Sequence, residues 1–150
     1  MSDEPLPAPD AADRLPDDEL PGLIASAREA AERAYCPYSG FRVGAAIRSD
    51  RGEVFTGCNV ENASYGLSQC AERVTIGHAV ACGVRAITAV VVYTPTPEPT
   101  TPCGACRQVI REFGPRAEII CVCDGPDVLR RRVDELLPDS FGPDALRREA

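Results

Sequence analysis

Three cysteines and one glutamate stand where two helical patterns begin. One start reads Gln69-Cys70-Ala71-Glu72-Arg73, the other Pro102-Cys103-Gly104-Ala105-Cys106-Arg107. Cys103 and Cys106 are three apart, so on a helix they share a face, with Cβ atoms roughly 5–6 Å apart. That spacing suits two sulfurs bound at about 2.3 Å to one tetrahedral zinc ion. Helix N-termini also favour thiolates, because the dipole and free amides stabilise negative charge. A C-x-x-C pair that opens a helix equally suits a thiol redox protein. Cys70 and Glu72 tilt the balance. A dithiol redox centre needs neither, whereas a catalytic zinc needs three protein ligands, an open position for water and a carboxylate to move protons. Zinc lowers the pKa of its water from about 15.7 towards 7, which makes hydroxide available at neutral pH.

On a regular helix, residues 70 and 72 point about 200° apart. Cys70 and Glu72 therefore converge only in an irregular first turn, where the Ala71 amide lacks a helical partner and can serve a substrate. Three thiolates outweigh the charge of Zn²⁺, which opposes hydroxide formation. Arg73 and Arg107, each directly after a motif residue, are placed to donate to the sulfurs and offset that excess.

The elements that must position these groups follow in order. Leu20, Leu23, Ile24, Ala27, Ala31 and Ala34 recur at helical spacing, with Asp17 or Asp18 as cap and Cys36-Pro37 as stop. Phe41, Val43, Ala45 and Ile47 alternate as a half-buried strand, residues 49–52 form a turn, and residues 54–58 return as the second strand of a hairpin. Helices are expected over about residues 69–82 and 103–113, stopped by Gly83 and Gly114. Residues 87–93 and 118–123 are apolar enough to be strands covered on both faces. Residues 128–137 fit either a strand or a helical turn. The sum is an α/β protein: a three-layer α/β/α sandwich on a five-stranded mixed sheet, without internal repeats.

Composition bounds the function. The 150 residues fit one domain, and no apolar run is long enough to span a membrane as a helix. The net charge of −7 argues against a nucleic-acid surface. Most of that charge lies in residues 1–19, where seven acids and four prolines stand against Arg14 alone. This segment reads as a disordered leader, followed by a domain over residues 20–146 and a tail over 147–150. With no export signal evident, a cytoplasmic location is expected, where disulfides do not persist. Cys36, Cys58, Cys82, Cys121 and Cys123 then read as small buried hydrophobes, and His78 as an ordinary helix residue. Arg130-Arg131-Arg132 reads as a solvated edge. Aromatics at 5% leave too few stacking groups for polynucleotide binding.

The string Cys-Ala-Glu-Arg from Cys70, with Pro-Cys-Gly-Ala-Cys-Arg-Gln from Pro102, resembles the signature of the zinc-dependent cytidine deaminases. The likeness extends to Tyr-x-Pro-Tyr-Ser-x-Phe-x-Val-Gly-Ala-Ala from Tyr35, Gly-Cys-Asn-Val-Glu-Asn-Ala-Ser-Tyr from Gly57 and Glu-Leu-Leu-Pro-x-Ser-Phe from Glu135. It implies that Cys70, Cys103 and Cys106 hold one Zn²⁺ per subunit, and that Glu72 shuttles protons as hydroxide attacks C4 of a pyrimidine and ammonia leaves. It further implies that Asn59 and Glu61 bind the ribose hydroxyls and that Phe41 lines the base pocket. The Ala71 amide and the Thr101 carbonyl would contact the base. Tyr65 and Phe141 would complete the sites of neighbouring subunits. Cys70, where a longer branch has histidine, resembles the short homotetrameric branch. The implied reaction is deamination of free cytidine and 2′-deoxycytidine, without nucleic-acid or membrane partners. The alternatives are a deaminase of a cytosine nucleoside antibiotic and a C-x-x-C redox protein.

Overall fold

These patterns resolve into a single mixed sheet in the computed structural model, which describes residues 14–146. In chain order the elements are α1 (Leu20–Glu32), β1 (Gly44–Ser49), β2 (Val54–Cys58), α2 (Ala71–Ala81), β3 (Ile87–Tyr93), α3 (Gly104–Phe113), β4 (Glu118–Val122), β5 (Val128–Arg132) and α4 (Val133–Leu136). The strands lie in the order β2-β1-β3-β4-β5. Only β3 and β4 pair in parallel, joined by the crossover through α3; the other neighbours are antiparallel.

Helices on both faces explain why β3 and β4 are apolar at nearly every position. Val90, Val92, Ile119 and Cys121 meet Ile76 and Ala79 of α2 and Ile110 of α3 on one side. Ala89, Val91, Ile120 and Val122 meet Leu23, Ala27 and Ala31 of α1 on the other. Two glycines set how closely helix and sheet approach. A Cβ at Gly44 would lie 1.9 Å from the Ala27 carbonyl oxygen, and one at Gly57 would lie 2.6 Å from Thr75 Oγ1. Gly57 thereby fixes the depth at which α2, with Glu72 in its first turn, sits on the sheet.

Several expectations need correction. Residues 14–19, assigned by composition to the leader, pack on the domain. Leu15 is 3% exposed within the α1-side core, and its N–H donates to Glu118 at 2.9 Å. Glu19, rather than Asp17 or Asp18, is the N-cap of α1, and its carboxylate serves Arg48 instead of the helix. Residues 1–13 and the tail, 147–150, lie outside the described residues. α1 ends at Glu32, a turn before Cys36-Pro37, because Tyr35 leaves to bridge Val60. β1 starts at Gly44, leaving Phe41 and Val43 in the preceding loop. The ambiguous stretch after Asp127 is a strand and then one helical turn. Of the arginine triplet only Arg131 is solvated: Arg130 pairs with Glu118, and Arg132 is buried and pairs with Asp134. Cys121 and Cys123 are buried as expected, but Cys36 and Cys58 are half-buried and Cys82 is exposed.

Candidate active site

Two helix starts converge at one end of the sheet, and each is capped by a cysteine. Cys70 precedes α2 with φ −71° and ψ 152°, and Cys103 precedes α3 with φ −66° and ψ 168°. Both are extended rather than helical. This resolves the conflict between Cys70 and Glu72, since only Glu72 belongs to the helix. Cys106 lies in the first turn of α3, fully buried. The three sulfurs all lie within 4.8 Å of one another, and Cys70 Sγ is 3.9 Å from Cys103 Sγ. Tetrahedral zinc–sulfur bonds of about 2.3 Å require sulfurs roughly 3.8 Å apart. The donor set therefore fits zinc, and a disulfide would need a much shorter separation.

Electrostatics distinguishes the thiols. Hydrogen bonding with Cys106 first, and with Cys103 and Arg73 after it, draws the Cys70 thiol down to about 6 against the opposing effect of burial. Cys106 is pushed up, chiefly because it donates to Cys70. The surroundings of Cys70 thus favour the thiolate form that metal ligation requires. Glu72 is 4% exposed, and burial raises its carboxyl above the usual carboxylate range, with the Cys70 charge adding to the effect.

The two arginines divide their work. Arg73 Nη2 donates to the Ser68 carbonyl at 2.9 Å, while its Nε is buried without a partner. Its charge is among those that stabilise the Cys70 thiolate. Arg107 does not match the expectation that it serves a sulfur. Its Nε donates to the Pro102 carbonyl at 2.8 Å, Nη1 to the Leu136 carbonyl at 2.9 Å, and Nη2 to Thr101 Oγ1 at 3.1 Å. It braces the loop leading into Cys103.

A cavity of about 340 Å³ opens above the thiols. Cys70, Cys103 and Glu72 line it together with Asn59, Glu61, Phe41 and Thr101. Ala71 is buried at the first helical position of α2. Asn59 Oδ1 accepts the Val43 N–H at 2.9 Å and its Nδ2 donates to the Phe41 carbonyl at 2.8 Å, which leaves one amide N–H for a ligand. Tyr65 and Phe141 are 74% and 60% exposed, and neither lines this cavity. Tyr65 instead sits beside Tyr38, with ring centroids 5.8 Å apart, over an adjoining hollow that shares Ser39, Glu61 and Ser68 with the main cavity. His78 lies away from the site, edge-on to Phe55. Ser39, Thr94 and Thr100 also line the cavity, and sequence reasoning gave them no part. Their types signal only turns and loops; the flanking motif residues were the one available clue for Ser39.

The fold and the three-thiol site with its buried carboxylate define a zinc-dependent deaminase. Residues 19–123 match the family model described as "Cytidine and deoxycytidylate deaminase zinc-binding region". The chain belongs to this family. Among its relatives, it is 44% identical over 126 residues to a cytidine deaminase of Sporosarcina psychrophila, covering 83% of this chain and 92% of that protein. It is 44% identical over 135 residues to a cytidine deaminase of Mycobacterium tuberculosis, covering 90% and 98%. The crystal structure of cytidine deaminase from Burkholderia pseudomallei superposes with a TM-score of 0.77 at 49% identity, covering 80% of this chain and 97% of that one.

Proposed function

We propose that this chain hydrolyses cytidine and 2′-deoxycytidine to uridine and 2′-deoxyuridine, releasing ammonia. One observation carries the reading: a buried Glu72 beside three thiols in a cavity also lined by Asn59 and Glu61. Bound zinc supplies a Lewis acid that makes water nucleophilic at neutral pH. Cys70, Cys103 and Cys106 hold it. Glu72 takes a proton from the attacking water and delivers it to the pyrimidine ring nitrogen. It then carries the second proton to the amino group as the C4–N4 bond breaks, so the water's oxygen stays on C4, one of its protons stays on the ring nitrogen and the other leaves with ammonia. The Ala71 amide and the Thr101 carbonyl orient the base, Phe41 packs its ring, and the remaining Asn59 N–H and the Glu61 carboxylate bind the sugar hydroxyls. Arg73 offsets the thiolate charge and Arg107 holds the Cys103 loop. Among the described residues the cavity is lined by two carboxylates and no arginine, which favours a neutral nucleoside over a phosphorylated one.

The same reading makes the working unit a homotetramer, in which the exposed Tyr65 and Phe141 complete neighbouring sites. Two large exposed aromatics near the cavity mouth and C-terminus support it. A cytoplasmic location is supported by eight free thiols, which suit a reducing compartment. Among the described residues no helix is long and apolar enough to cross a membrane. The burial of Leu15 in the α1-side core supports a domain that begins ahead of residue 20.

Loss of cytidine absorbance near its ultraviolet maximum, followed with and without a metal chelator, tests the proposal. Turnover that chelation abolishes and zinc restores is the expected result. No loss of cytidine absorbance by the zinc-loaded protein would overturn it.

A further inference from the structure

Glu61 does not project freely into the cavity. Its Oε2 accepts the Tyr38 N–H at 2.9 Å and the Ser39 N–H at 3.2 Å, and its Oε1 accepts the Ser39 hydroxyl. The Ser39 oxygen in turn accepts the N–H of Phe41 at 3.0 Å. One hydroxyl therefore ties Glu61 to the backbone of the aromatic that lines the same cavity. The hydroxyl serves both partners at once, as donor to Glu61 and as acceptor from the Phe41 amide. We propose that Ser39 is a positioning residue for sugar recognition, fixing which Glu61 lone pairs face a nucleoside's hydroxyls.

The physical case is one of preorganisation. An unrestrained glutamate samples several rotamers, and ordering it on binding would cost affinity. The turn at Tyr38-Ser39 removes that cost before the substrate arrives. It also occupies lone pairs on both carboxylate oxygens, so the remaining ones point in set directions. The Ser39 hydroxyl is the leading cause that holds the Glu61 carboxyl below its usual range, which keeps it an acceptor. Serine and threonine can both donate and accept here, and alanine can do neither.

The inference rests on Glu61 being the group that receives sugar hydroxyls, and the test separates the two claims. Purified zinc-loaded Ser39→Ala, Ser39→Thr and Glu61→Gln proteins are assayed with cytidine and with 2′,3′-dideoxycytidine. Zinc content and melting temperature serve as controls for folding. Ser39→Ala should raise KM for cytidine about fivefold, the scale of one typical hydrogen bond, with kcat within twofold. Ser39→Thr should restore KM to within twofold, and the dideoxy substrate should show no KM change in Ser39→Ala. Equal KM increases for both substrates, or none for either, would overturn the role of Ser39. If Glu61→Gln leaves discrimination between the two substrates unchanged, the reading of Glu61 fails, and the role of Ser39 fails with it. If Glu61→Gln loses discrimination while Ser39→Ala keeps it, only the role of Ser39 is overturned.

Discussion

Glu72 and Glu118 are both buried glutamates, at 4% and 8% exposure, on opposite sides of the sheet. Glu118 meets a bidentate guanidinium, with Arg130 Nε 2.8 Å from Oε1 and Nη2 3.1 Å from Oε2, and it also accepts the Leu15 N–H. Glu72 stands instead beside thiols, and burial raises its pKa. A buried charge is tolerated when hydrogen bonds and a counter-charge replace the lost water. Where they do not, the group favours its protonated form and becomes able to give and take a proton. The same residue type at similar depth thus serves as a fastener in one place and, in the proposed mechanism, as an acid–base group in the other.

That contrast can be broken most sharply at Glu72. Glu72→Gln should retain zinc and fold but lower kcat by about 10³-fold, the scale of general acid–base catalysis. Steady-state kinetics beside metal analysis checks this, and near-normal turnover would remove Glu72 from the mechanism. Glu118→Ala should do the converse. It strands Arg130 and the Leu15 N–H, and should cost about 3 kcal/mol in urea unfolding while leaving kcat within twofold. Leu15→Ala removes an apolar side chain from the same fastening and should cost about 2 kcal/mol, again without a change in kcat. A loss of kcat in either Glu118→Ala or Leu15→Ala would mean that the two sides of the sheet are not separable.

The catalytic side was far more legible in the sequence than the fastening side. Cys70 and Glu72, and Cys103 and Cys106, are each neighbours at a helix start, and the motif resemblance joins the two pairs although Cys70 and Cys103 lie 33 residues apart. Strands over Val54–Cys58 and Ile87–Tyr93 appear at the bounds that apolar alternation and turn residues predict. Leu15 and Glu118 are 103 residues apart, and no local pattern links them. Acids and prolines around Leu15 make residues 14–19 look like solvated chain, and the one contact that anchors them is tertiary. The arginine triplet hides its pairing in part for the same reason: strand alternation puts Arg130 and Arg132 on one face, and Glu118, which meets Arg130, comes from the neighbouring strand, whereas Asp134, which meets Arg132, lies only two residues on. Arg107 was misassigned because adjacency to Cys106 in sequence does not say where a long side chain reaches. The glutamate that holds the N-terminal segment had no signature at all.

The central claim, that three thiols hold zinc for hydrolysis, is tested most directly by counting metal on the purified protein. Inductively coupled plasma mass spectrometry of the native chain and of a Cys103→Ser variant should find about one zinc per chain in the first and a large loss in the second. A native protein without zinc that instead forms a reversible Cys103–Cys106 disulfide would contradict the account.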